Sequence, residues 1–371
     1  MADVSDSCDD AETAHENAIL FSQKKKLYHS VKKCFSMVIF QTRKDPSPSL
    51  SIGSNKVNIV TLLTYLGDVF NAQGNNQDLM KDRVQRGTKA FIGVEAFMRG
   101  ASFGIHTVSV YLLLYRIVFI SSILFSSEVW SNVTERDLKQ LRLLQLRILR
   151  KMVGARKMTS SSFLFLELGV LPIKYELHIR QMTFLFHVIH LDECDPVKQV
   201  WRNLCQFPEY PNWWCDVKAL MKKYSIALNE EQIKQMTKET YKKTIKKAVY
   251  EVAHNDLNLE CSAKSKTKEI VFNKFIIQHY IQVMPPNLSK LIFQARSKTL
   301  DLKCHTPFLY SDTNCRWCGV GEETIAHIVN CGASTLPISD IQEEISAGSN
   351  LVALELIAHR IQNFLDLVND L

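Results

Sequence analysis

Four side chains near the C-terminus constrain the fold of this chain more than any other feature. They follow the pattern Cys315-x2-Cys318-x8-His327-x3-Cys331. Three thiols and one imidazole at this spacing can close a tetrahedral zinc site. Gly319 permits a tight turn after the second cysteine, while His327 and Cys331 are four residues apart and share one face of a helix. We therefore predict a structural Zn2+ site; the alternative is four unrelated residues in a reduced protein.

The composition is that of a folded protein rather than a disordered one. Of the 371 residues, 46% are hydrophobic and 22% are charged, and the length suffices for two or three domains. The cysteines outside the cluster are scattered along the chain, and no cleavable signal peptide precedes them. We therefore expect an intracellular, reducing compartment, either the nucleus or the cytoplasm.

The charge of the chain is distributed unevenly. The net charge is +7, but residues 1–20 carry six acidic residues and no lysine or arginine, which leaves +13 for the remainder. An excess of this size on one surface attracts a polyanion such as nucleic acid. A solvated basic surface without a partner is the alternative.

The stretch from Ile105 to Phe125 is long and apolar enough to cross a bilayer. It contains Arg116 near its centre, which would cost about 2.5–3.5 kcal/mol on insertion scales. We therefore predict a buried helix and no membrane contact. A membrane-associated helical protein built around this stretch is the alternative.

Hydrophobic periodicity predicts a mainly α fold with a short mixed segment at its start. A strand-like run covers Phe35 to Phe40, and a second extended stretch covers Val57 to Leu66. From about residue 76 to 191 the pattern is helical. Residues 192–215 suggest a connector or an aromatic cluster, the lysines of residues 218–249 suggest solvated helices, and residues 351–371 suggest a closing helix.

The helix predicted from about Glu135 to Val153 has the clearest pair of faces. At 100° per residue, leucines and isoleucines fall on one side and cations on the other. A basic face fixed by an apolar one suits contact with a phosphate backbone, whereas a solvated surface helix would usually mix in more acidic residues. The candidate nucleic-acid contacts are Lys139, Arg142, Arg147, Arg150 and Lys151.

The order of several short motifs resembles one protein family. The motifs are Lys32-Lys33-Cys34-Phe35-Ser36-Met37-Val38, Tyr65-Leu66-Gly67-Asp68, Leu166-Glu167-Leu168-Gly169-Val170-Leu171-Pro172-Ile173, and Glu322-Glu323-Thr324 within the cysteine-histidine cluster. From about residue 20 to 335 the chain resembles the C-terminal half of reverse transcriptases from non-LTR retrotransposons, particularly the site-specific lineage that includes Dong-type elements.

The resemblance implies a division of the chain into five parts. These are a partial α/β palm (1–75), a helical thumb (76–191), a helical linker (192–300), a CCHC zinc knuckle (301–335) and a C-terminal helix (336–371). It also implies roles for individual residues. Lys33 matches the lysine of palm motif D, and Tyr65, Leu66 and Gly67 match the primer-grip hairpin. The knuckle of this family is associated with binding RNA or target DNA.

The catalytic carboxylates of the family have no full counterpart in this sequence. Nucleotidyl transfer needs two metal ions held by carboxylates, and only Asp3 resembles a remnant of that set. We therefore expect a truncated protein that binds nucleic acid and does not polymerise alone, with Mg2+ involved only if the missing palm is supplied. The alternative is part of an active RNA-directed DNA polymerase whose N-terminal half is missing from the gene sequence.

Overall fold

The computed structural model describes residues 5, 7–39, 48–207, 209–331 and 340–369. Helices account for 62% and strands for 5% of the structure. The predicted mainly α fold class is thereby confirmed. The chain divides into two compact units, Met1–Asp82 and Arg83–Leu371.

The first unit combines one helix with short paired strands. Helix α1 begins at an N-cap serine, whose hydroxyl accepts a hydrogen bond from the Asp10 amide. Each of the strand pairs in the described part of this unit has two members. The elements are α1 (Cys8–Lys24), β1 (Phe35–Ser36) parallel to β4 (Asn58–Ile59), β2 (Ser51–Ile52) antiparallel to β3 (Asn55–Lys56), and β5 (Leu62–Tyr65) antiparallel to β6 (Asp68–Asn71).

The strand predicted from Phe35 to Phe40 is shorter in the structure. Only Phe35 and Ser36 form strand; Phe40 lies outside the described residues. The pairing is short because the partner strand, β4, supplies only Asn58 and Ile59 before the chain enters the β5–β6 hairpin. The predicted extended stretch from residue 57 to 66 is thus divided between two separate strand pairs.

Helix α2 (Gln77–Gly100) starts in the first unit and continues into the second, whose described regular elements are helices apart from one isolated β-bridge, Asn314–Glu322. The remaining helices are α3 (Thr107–Leu114), α4 (Ser121–Ile123), α5 (Glu135–Met152), α6 (Ser161–Leu168), α7 (Ile173–Ile189), α8 (Pro196–Gln206), α9 (Trp213–Lys223), α10 (Glu230–Gln235), α11 (Lys238–Ser262), α12 (His279–Val283), α13 (Pro286–Arg296), α14 (Ile325–Asn330), α15 (Ile341–Ala347) and α16 (Leu351–Asn369).

The apolar stretch after α2 is a helix, but it is less buried than predicted. A π-helical segment, Tyr115–Ile120, joins α3 to α4. Within the described residues, Gly104–Ile123 is the one helix long and apolar enough to cross a membrane, and 33% of its most apolar window is buried. Leu113 and Ile117 are each more than half exposed. One face therefore packs against the protein and the other faces outward, and the absence of membrane contact stays a prediction.

Helix α5 has the bounds and the buried face that its periodicity predicts. Thr134 caps its N-terminus together with Asp137 in a capping box. The buried Gln145 side chain then connects three parts of the fold. Its Nε2 donates to the Tyr115 hydroxyl at 2.7 Å and to the Leu171 carbonyl at 2.8 Å, and its Oε1 accepts from the Ile173 amide.

A hydrophobic core joins α7 to α9, α10 and α11. Residues 192–215 form α8 and the start of α9, and they contribute an aromatic cluster to this core. Of the two predictions for this stretch, a connector or an aromatic cluster, the second is the one observed. Trp201 and Trp214 meet edge to face with ring centroids 5.7 Å apart. Buried members of the core include Leu185, Val217, Ile233, Tyr241, Ile245 and Val249.

The C-terminal helices α13, α14, α15 and α16 pack together and carry the cysteine-histidine cluster. The predicted closing helix is confirmed as α16, with Leu354, Ile357 and Ile361 fully buried.

Candidate metal centre

The four predicted ligands meet at one point in the structure. The candidate ligand atoms of Cys315, Cys318, His327 and Cys331 all lie within 4.8 Å of one another. Cys318 Sγ is 3.3 Å from His327 Nε2, and the Sγ atoms of Cys315 and Cys331 are 3.9 Å apart. Zinc–sulfur bonds of about 2.3 Å at tetrahedral angles separate two sulfurs by about 3.8 Å. These two separations are close to those of a tetrahedral site, and the four ligand atoms are near enough together to share one metal ion.

A short hairpin presents the two N-terminal cysteines. An isolated antiparallel bridge pairs Asn314 with Glu322, and inside it the Cys315 amide donates to the Gly321 carbonyl at 2.6 Å. The Gly319 amide donates to the Cys315 carbonyl at 2.8 Å and closes the turn. Gly319 has φ +71°, in the left-handed region that favours glycine. The turn predicted at this glycine is therefore present.

Helix α14 presents His327, whereas Cys331 lies just past its end in extended backbone and not on the helix face that the four-residue spacing predicts. Thr324 caps the helix by accepting a hydrogen bond from the His327 amide at 3.2 Å, and Cys331 follows the last helical residue. The imidazole of His327 passes so close to Gly321 that a Cβ atom at this glycine would collide with the ring. Gly321 therefore permits the approach of the histidine to the hairpin, a role that the spacing pattern did not predict.

The thiol of Cys318, on the hairpin, and the thiol of Cys331, after α14, lie in different electrostatic environments. Hydrogen bonds from the backbone amides of Gly321 and Val320 lower the pKa of the exposed Cys318 thiol to about 6. Burial and the neighbouring thiols raise the pKa of Cys331 above its usual value. The thiolate form of Cys318 is thus favoured over that of Cys331, and deprotonation of Cys331 is favoured when a bound cation offsets the negative charge.

A buried carboxylate, that of Glu323, binds the segment between Cys315 and Cys318, which we call the cysteine turn. Glu323 is fully buried and accepts hydrogen bonds from the Arg316 amide (2.9 Å), the Arg316 guanidinium (2.8 Å) and the Lys303 amide (3.0 Å). Burial alone would raise the pKa of Glu323, but these donors lower it below the usual value. Arg316 also donates to the Asp301 carbonyl and lies over the Tyr310 ring. The segment between the two cysteines is therefore fixed to residues 301–303.

The sequence shows that Glu323 lies between the cysteine and histidine ligands, but it does not show that Glu323 binds the segment between the cysteines. Acidic residues such as Glu322 and Glu323 are common just before a helix, so the pair predicts no more than a helix start. Only the fold brings Arg316 and the Lys303 amide to the Glu323 carboxylate.

The chemistry of the cluster is that of a closed site. Three thiols and one imidazole can bind a metal such as zinc. Around a bound ion these four ligands would fill a tetrahedron and would leave no position for a reacting water. Such a site stabilises the fold around it rather than catalysing a reaction.

The structure separates the predicted cations of α5 into two groups. Lys139, Arg142 and Arg147 are exposed, and none of them has an acidic partner within ion-pair distance among the described residues. Arg150 is half-buried, and its Nη2 donates to the Thr159 carbonyl at 3.4 Å. Burial lowers the pKa of the Arg150 guanidinium. Lys151 forms an ion pair with Glu95. Three of the five candidates thus remain available for an external anion.

A second lysine-rich surface lies on α11. Its lysines are exposed, which agrees with the prediction of solvated helices for this stretch; they are Lys242, Lys243, Lys246 and Lys247. With Tyr250 they also line an open depression of about 610 Å³.

The remaining candidate residues lie in the first unit. Lys33 is exposed at the end of a 3-10 turn, Val31–Lys33. Tyr65, Leu66 and Gly67 form the tip of the β5–β6 hairpin, where Leu66 (φ +48°) and Gly67 (φ +89°) both adopt left-handed conformations. Asp3 lies outside the described residues.

Comparisons with known proteins found no match. No family model matches the chain, and searches of curated proteins and of solved structures returned no match. The assignment to retrotransposon reverse transcriptases therefore remains a prediction from the sequence motifs.

Proposed function

We propose that this protein binds RNA or DNA through the basic face of α5 and the metal-stabilised hairpin. The observation that carries the proposal is the group of three exposed cations on α5, Lys139, Arg142 and Arg147. The opposite face of this helix is buried, with Leu141 and Leu149 fully covered. The cations therefore project from a fixed support, and they contact phosphates without first losing a protein partner.

The proposed binding mode is electrostatic at α5. Each cation that neutralises a phosphate releases a condensed counterion, so affinity falls steeply as salt is added. The arginines also offer a bidentate geometry that suits phosphate oxygens. This contact carries no sequence information by itself, and it suits either RNA or DNA.

We propose further that the chain corresponds to the C-terminal part of a reverse transcriptase of the non-LTR class, and that these residues do not polymerise without the catalytic carboxylates. In that assignment residues 76–335 supply the thumb, the linker and the zinc knuckle. The exposed Lys33 and the hairpin tip at Leu66 and Gly67 would be the motif D and primer-grip remnants. Mg2+ and polymerase activity would require a palm that supplies the missing carboxylates; an in-frame upstream sequence encoding them would favour the alternative of an incomplete gene sequence.

Binding measured against salt tests the proposed function. The zinc-loaded full chain is titrated into fluorescein-labelled single-stranded RNA, single-stranded DNA and duplex DNA at several salt concentrations. We expect the logarithm of the association constant to fall linearly with the logarithm of the salt concentration. Failure to bind at low salt, or binding that does not depend on salt, would contradict the proposal.

A further inference from the structure

A cleft of about 390 Å³ lies between the cysteine turn and the C-terminal helix α16. Trp317, which separates two metal ligands in the sequence, forms one wall with Ile328 of α14. Helix α16 forms the other wall with Phe364 and with the polar side chains Arg360, Asn363 and Asp366. Cys331 and Leu367 complete the lining, so the cleft is apolar on the side of the cysteine turn and mixed along α16, where polar and apolar side chains lie together.

Trp317 is placed differently from a core tryptophan. Its side chain is 40% exposed, whereas Trp130 and Trp201 are each 4% exposed. Its two sequence neighbours have fixed positions, because the Arg316 guanidinium donates to Glu323 and Cys318 belongs to the ligand cluster. A large indole in an open cleft, on a fixed turn, offers a flat surface to a planar ligand.

The α16 edge supplies groups for the rest of such a ligand. Arg360 has no acidic partner within ion-pair distance in the described part of the chain, so its guanidinium is available to bind a phosphate group. Asp366 accepts a hydrogen bond from Gln362 at 2.8 Å and retains further acceptor capacity on its carboxylate. A carboxylate at this edge favours ligands with amino donors.

We propose that this cleft binds one unpaired nucleotide of a single-stranded nucleic acid. The base stacks on Trp317, an exocyclic amino group donates to Asp366, and Arg360 contacts the adjacent phosphate. A paired base does not fit this mode because its faces are covered by its neighbours in the duplex. The inference rests on the proposed nucleic-acid binding, and it adds a preference for single strands and for amino-bearing bases over uracil.

The test compares single-stranded and duplex RNA probes of the same sequence, about 12 nucleotides long, with zinc-loaded full-length variants. We expect Trp317→Leu to weaken single-strand binding by about 5- to 150-fold, the range for removal of one base–aromatic stack. Trp317→Phe keeps a ring and retains most of the affinity. The matched control is Phe308→Ala, which removes an aromatic side chain that is 75% exposed and does not line the cleft. Duplex binding should change little.

A second pair of variants covers the case in which Trp317→Leu loses its metal or its fold. Arg360→Gln should weaken single-strand binding, and Arg99→Gln, an exposed arginine outside the cleft, should not. Asp366→Asn should reduce the preference for cytosine-rich over uracil-rich RNA.

The outcomes separate the two proposals. If the Trp317 and Arg360 variants bind single strands like the wild type while removal of the α5 arginines weakens binding, the cleft proposal is wrong and the proposed function stands. If the wild-type protein binds neither probe, both proposals are wrong.

Discussion

Arg296 Nε lies 2.7 Å from Glu167 Oε1, and neither side chain exposes more than 1% of its surface. The Tyr280 hydroxyl donates to the same carboxylate oxygen at 2.5 Å. Arg296 also donates to the Ile345 carbonyl at 2.5 Å and to the Ser346 carbonyl at 2.7 Å, at the end of α15. This buried network connects α6, α12, α13 and α15 inside the second unit.

Removing one member of this ion pair should destabilise the fold. Arg296→Ala leaves the Glu167 carboxylate buried without its cation, and we expect a decrease of about 3–5 kcal/mol in the free energy of unfolding. Urea denaturation followed by circular dichroism measures it. The double variant Glu167→Leu/Arg296→Met removes both charges and should be less destabilised than Arg296→Ala. Equal decreases would mean that the pair contributes through packing alone.

Zinc content should depend on the cluster. We expect Cys318→Ser and His327→Ala each to lower the bound zinc after purification, since each removes one of four ligands. Cys194→Ser, at an exposed cysteine outside the cluster, is the matched control and should keep its zinc. If neither ligand variant lowers bound zinc, the cluster is not the metal site.

Glu323 should contribute to metal affinity without touching the metal. Glu323→Gln weakens the contacts that hold Arg316 and the cysteine turn, and we expect about 10- to 100-fold weaker zinc binding in competition with a chelator. Glu322→Gln changes the same charge at an exposed neighbouring position and should have little effect. Equal affinities for the two variants would show that the turn needs no such support.

The exposed arginines of α5 should set the salt dependence of nucleic-acid binding. Arg142→Gln/Arg147→Gln removes the charge that neutralises up to two phosphates. We expect the slope of log affinity against log salt to shrink by about 0.7–0.9 for each phosphate that the variant no longer neutralises. Lys268→Gln/Lys274→Gln makes the same change in net charge at exposed positions outside α5. An equal change of slope in this control would indicate a diffuse charge effect rather than contact by α5.

Acid should remove the stabilisation that Glu230 provides. Hydrogen bonds from Arg202, 2.8 Å to each carboxylate oxygen, lower the pKa of Glu230 to about 2 from the usual 4.5. A carboxylate with a lowered pKa in the folded state stabilises the fold above its unfolded pKa, and this contribution falls as pH drops from about 4.5 to about 2. The stability difference between wild type and Glu230→Gln should therefore be largest near pH 7 and shrink across this range in urea denaturation. A pH-independent difference would contradict this assignment.

Local patterns predicted the elements whose signals lie close together in the chain. Helix α5 has the predicted bounds because its leucines repeat every three to four residues and Thr134 provides a cap. The tight turn at Gly319 and the meeting of the four ligands followed from spacing for the same reason, although α14 ends at Asn330 and Cys331 lies just beyond the helix on which its spacing from His327 had placed it.

Burial and long-range partners were not accessible from such patterns. Periodicity did not show that Leu113 and Ile117 would be exposed, because a helix with apolar residues on all sides does not specify which face finds a partner. It also did not separate Lys151, which pairs with Glu95, from the exposed Arg147.

The sequence by itself determined a mainly helical chain, the basic face of α5 and a candidate zinc site, because each depends on residues within about two turns of helix or one tight turn. Only the tertiary structure decided which charges are available and which are buried in pairs. Glu167 meets Arg296 and Glu323 meets the Lys303 amide across many residues. The cleft beside Trp317 likewise exists only where α16 packs near the cysteine turn, since hydrophobic burial, not sequence spacing, brings these segments together.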